Sequence, residues 1–61
     1  MTTRCYNIPD TTELNAVLTI IKSLIKCNIT KIPDGMWDSE VTITAETRDF
    51  AAIEGILAPL M

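Results

Sequence analysis

The chain has 61 residues, 48% of them hydrophobic, with a formal net charge of −3, two cysteines and no histidine. A chain this short has room for one domain, residues 1–61, and buries only about 60% of the surface its unfolded form exposes. The missing histidine and the wide separation of Cys5 and Cys27 exclude the common zinc sites, and the acidic balance argues against direct nucleic-acid binding, which needs clustered lysines and arginines.

Met1-Thr2-Thr3-Arg4 leads into polar and turn residues rather than an apolar run, so no secretory leader is expected. The apolar stretch from Ala16 to Ile25 is broken by Thr19, Lys22 and Ser23 and falls short of the ~20 residues a bilayer needs, so no membrane partner is expected either. The expected location is cytoplasmic, where Cys5 and Cys27 read as thiols rather than as a bridge.

Thr3 to Ile8 alternates loosely and stops at Pro9, which reads as a first strand. Asp10-Thr11-Thr12-Glu13 has the spacing of a capping box with Asp10 as the cap, and Leu14, Val17, Leu18, Ile21, Leu24 and Ile25 then recur at helical spacing. Ile29 to Ile32 is a short second strand that ends in a Pro33-Asp34-Gly35 turn. From Glu40 to Ala45 the apolar side chains Val41, Ile43 and Ala45 alternate with Thr42, Thr44 and Glu46, the clearest strand in the chain. Thr47 is placed to cap a second helix, with Asp49 in its first turn, Phe50, Ile53, Ile56, Leu57 and Leu60 along one face, and Pro59 to end it.

The element order is β-α-β-β-α, which predicts an α+β domain: a small three-stranded sheet with two helices on one face. A strand, a long helix and a second strand predict a parallel pair by a right-handed crossover, to which the hairpin adds an antiparallel strand. In order of elements the chain resembles a ferredoxin-like fold without its last strand. Through Thr42-Ile43-Thr44 followed by Thr47-Arg48-Asp49 and Ile56-Leu57 it also resembles the DinI-like small regulators of the DNA-damage response. Both resemblances are of element order, and a shared order does not transfer a function.

Catalysis would require Cys5, Cys27 or a hydroxyl to be activated without a histidine, and nothing in the spacing provides for it; no enzyme activity and no cofactor are expected. Asp34, Asp38 and Glu40 gather around the turn without the spacing of a calcium loop, so they form either a solvated acidic loop or a surface for a basic partner. Residues 1–33 carry four cations against two acids, +2, and residues 34–61 one cation against six acids, −5. Such polarity either pairs internally or steers the acidic half onto a basic partner.

Helix two has a face of small residues, Ala51, Ala52, Gly55 and Ala58, that either packs on helix one or admits a second chain; Ala51, Gly55 and Ala58 are the self-association candidates. Trp37, with Met36 beside it, is either the plug of a small core or a partner-binding anchor. The leading expectation is a non-catalytic protein-interaction module, a modulator or inhibitor of a larger protein from a phage or other mobile element, and itself a homodimer. The alternatives are an acidic regulator of nucleic-acid metabolism that presents a phosphate-like surface, and an oligomeric domain binding a small ligand between subunits.

Overall fold

Strict alternation in the third strand decides where the core lies. Ser39, Val41, Ile43 and Ala45 project from one face and are all buried, while the residues between them are exposed or half-buried. The computed structural model describes residues 1–61. Its elements are strand β1 (Thr2–Pro9), helix α1 (Thr12–Leu24), strands β2 (Asn28–Asp34) and β3 (Asp38–Ala45), and helix α2 (Phe50–Leu57). A single 3-10 turn precedes α2 at Thr47–Asp49, and another follows it at Ala58–Leu60. The β-α-β-β-α order and the three-stranded sheet with two helices match the expectation from sequence.

The strand neighbours differ from that expectation. The sheet order is β1-β3-β2 and both pairings are antiparallel, so β1 and β2 run the same way but do not touch. A tight hairpin obliges β3 to lie beside β2, and β3 then fills the central position, where both of its edges are bonded. The two flanking strands are the ones that carry Pro9, at the end of β1, and Pro33, in β2, and proline is tolerated at an edge because the ladder there needs donors on one side only.

Both helices cover the Val41 face. Leu14, Leu18 and Ile21 from α1 join Phe50, Ile53 and Leu57 from α2, with Ile8 and the inner face of β3, in one cluster of ten buried apolar residues. Each fully buried aliphatic or aromatic side chain contributes about 1.5–3 kcal/mol relative to exposure, which offsets the ordering entropy of so short a chain.

Helix α1 begins one residue later than the capping-box reading places it. Thr11 is the cap, its Oγ1 accepting from the Leu14 N–H at 3.2 Å, whereas Asp10 is drawn off to accept from Lys31 Nζ at 2.9 Å. The helix ends at Leu24, since Ile25 is already extended, and Leu24 is therefore exposed rather than part of the buried stripe. Strand β2 is longer than expected and runs through Pro33 to Asp34, so the turn is Gly35-Met36-Trp37. Thr47 does not cap α2; its hydroxyl is hydrogen-bonded to that of Thr2, and Thr47–Asp49 forms the 3-10 turn. Pro59 falls in the closing 3-10 turn, just after α2 has ended. No helix is long and apolar enough to cross a membrane.

Candidate functional site

The β2–β3 hairpin combines a fixed backbone with unburied apolar side chains. Gly35 takes a positive φ of 83°, a conformation that costs glycine little and other residues more, and this lets three residues join Asp34 to Asp38. The Asp10 N–H donates to the Trp37 carbonyl at 2.8 Å, which ties the tip to the end of β1. The side chains stay outside: Met36 is 85% exposed and Trp37 75%. Trp37 is therefore not the core plug, a place taken by Phe50 and aliphatic residues.

The acidic residues sit at the base of the same hairpin. Asp34 lies opposite Asp38 in the β2–β3 register, and Glu40 is two residues further along, all on the sheet face that the helices leave open. Like charges directly opposite one another destabilise a ladder, and the only side-chain relief is the Asn7 Nδ2 donating to Asp34 Oδ2 at 3.2 Å. Glu40 lies opposite Ile32 on β2, an exposed apolar residue, and opposite Asn7 on β1. Neither Asn7 nor Ile32 stood out in the sequence, because cross-strand register alone brings them to this patch. No three metal-ligating side chains are grouped closely enough to hold an ion.

The thiols lie apart and unbridged. Cys5 is exposed on the open face with its Sγ 3.5 Å from Thr42 Oγ1, whereas Cys27 is half-buried against the core cluster on the other side of the sheet. Burial pushes the Cys27 thiol up, away from the thiolate that a nucleophile needs. A shallow cavity of ≈ 230 Å³ between α1 and β2 is lined by Asn15, Leu18, Thr19, Lys22, Ile29 and Lys31, and Lys31 is already held by Asp10 and Asn15 at 2.9 and 2.8 Å.

Ala51 and Gly55 on α2, and Ala58 in the turn just after it, are exposed, and nothing lies within 4 Å of a Cβ built on Gly55, so α1 does not cover this face. The flank of α2 nearer β1 carries a polar cluster that the sequence signalled only through its uneven charge. Glu54 Oε2 accepts from Arg4 Nη1 and from the Tyr6 hydroxyl, both at 2.9 Å, and the Arg4 guanidinium lies 4.9 Å from the centre of the Phe50 ring. This pair joins a cation of the basic half to an acid of the acidic half, so part of the charge polarity is consumed inside the fold. Comparison of the chain with protein-family models, with curated proteins and with solved structures found no match.

Proposed function

We propose that this chain is a non-catalytic protein-interaction module, a modulator of a larger protein, and that the β2–β3 hairpin is its contact surface. The observation that carries the reading is the tip itself, where Met36 and Trp37 are held out in water on a backbone pinned by the Asp10–Trp37 hydrogen bond. A tryptophan can bury about 150–250 Å², a large apolar contribution for one side chain, and a pre-ordered tip loses little entropy in the process. Asp34, Asp38 and Glu40 supply a negative rim, so the matching surface is an apolar pocket edged with lysine or arginine. A surface that ordinarily holds nucleic-acid phosphates is one of that kind, which keeps the phosphate-like reading within the same site.

The test uses a photo-crosslinking residue at Met36, with a second variant carrying it at exposed Ser23 on α1 as control, in extract of the native host. A discrete adduct is expected from position 36 alone. Excess unlabelled wild type should compete it away, and excess Trp37→Ala should not. Equal adducts from both positions, or equal competition by Trp37→Ala, would refute the hairpin as contact surface. Replacing Asp34 and Asp38 by Asn and Glu40 by Gln is expected to slow association and flatten its salt dependence.

A further inference from the structure

The outer edge of β1 is open, and its backbone pattern determines what fits there. Residues of an antiparallel pair alternate between those that exchange hydrogen bonds with the neighbour and those that turn their N–H and C=O away. Asp10 donates to the Trp37 carbonyl in continuation of the β1–β3 register, so the even-numbered residues of β1 bond to β3. Thr3, Cys5 and Asn7 therefore present their N–H and C=O groups outward. By the same alternation, the even-numbered residues of β3 bond to β2, which leaves Ile29, Lys31 and Pro33 facing outward on the other edge. Pro33 has no N–H, and proline and lysine are the residues that blunt an edge against further pairing. Both edges end in an outward proline, Pro9 on β1 and Pro33 on β2, but β1 offers three consecutive donor–acceptor residues before it and β2 only two, one of them Lys31.

We infer that β1 pairs with β1 of a second copy of this chain, antiparallel about a two-fold axis at Cys5, to give a continuous six-stranded sheet. In this register Thr3 faces Asn7 of the second copy, Cys5 faces Cys5, and Asn7 faces Thr3, so every outward donor meets an acceptor, about six hydrogen bonds across the seam. Shifting by one pair in one direction brings Pro9 into the ladder and leaves a carbonyl without its donor.

Charge is self-complementary in the same register. Arg4 comes opposite Tyr6 of the second copy on the helix side of the sheet, next to that copy's Glu54, so two ion pairs already closed within their own subunits lie side by side with opposite charges adjacent. At 3.6 residues per turn, Ala51 and Ala58 flank Glu54 on the side of α2 that overhangs β1, and their small side chains let the two α2 helices approach across the seam. Gly55 points away from the core and takes no part. A strand seam with a narrow helix contact is a small interface of the weakly associating kind, so the test is made at high protein concentration.

The surface is distinct from the hairpin tip, and the two readings fail separately. Sedimentation equilibrium at a few hundred micromolar is expected to give about twice the 6.8 kDa of the chain. Cys5→Lys, which sets two ammonium groups against each other on the axis, is expected to give a monomer with unchanged far-UV circular dichroism. In a Cys27→Ser background a short bismaleimide is expected to join two chains through Cys5 at concentrations where the dimer forms, a readout that stands even if Cys5→Lys does not fold. A wild-type chain that stays monomeric throughout, a dimer that persists in folded Cys5→Lys, or a dimer that the reagent does not join would each overturn the proposal.

Discussion

Ser39 occupies a helix-facing position of β3 opposite Ile8 and Pro33, fully buried, and its hydroxyl makes no hydrogen bond. An orphaned hydroxyl in an apolar setting costs about 1–3 kcal/mol, while an alanine there fills nearly the same volume. Ser39→Ala is therefore expected to stabilise the fold by about 1 kcal/mol, which in a domain of this size raises Tm by roughly 4–8 °C. Thermal denaturation at a single protein concentration measures it, and a lower Tm would show that the hydroxyl has a partner. The serine was not legible as a buried site, because its type is common on surfaces and only the period of the strand placed it inside. Trp37 misleads in the opposite sense: a lone tryptophan is often core, and only the hairpin geometry sets it outside.

Among the elements, α1 and β3 were legible because periodicity reports which face of an element is buried. Periodicity does not report which strands are neighbours, and the β1-β3-β2 order therefore escaped it. The start of α1 was ambiguous for a local reason, since Asp10 and Thr11 are both good caps and the choice fell to Lys31, a residue of another strand that pairs with Asp10. The two residues should separate on substitution. Thr11→Ala removes the acceptor for the Leu14 N–H and is expected to cost about 1 kcal/mol, whereas Asp10→Ala removes a partly exposed ion pair and is expected to cost less, about 0–1 kcal/mol. Urea denaturation of both variants tests the order. An Asp10→Ala loss that exceeds the Thr11→Ala loss would return the cap to Asp10.

For the whole molecule, the cluster of Arg4, Tyr6 and Glu54 ties the beginning of the chain to its end, fastening β1 to α2 at the exposed flank of the core. The hydrogen bond from Tyr6 and then that from Arg4 hold the Glu54 carboxyl below its ordinary range. A carboxyl with a depressed folded pKa contributes stability that is fully present above its unfolded value and is lost as pH falls through the folded value. Tyr6 mirrors this on the alkaline side: burial, then its bond to Glu54, raises the phenol, and its contribution disappears as pH climbs through that raised value. Glu54→Gln is expected to flatten the acid limb of the Tm-against-pH curve. Tyr6→Phe should flatten it in part, since Arg4 remains, and should also remove the alkaline step. Scans at one concentration from neutral to strongly acidic and strongly alkaline pH provide the comparison. If the wild-type and Glu54→Gln curves stay parallel through the acid limb, the pH dependence arises elsewhere and the cluster is a clasp without electrostatic consequence.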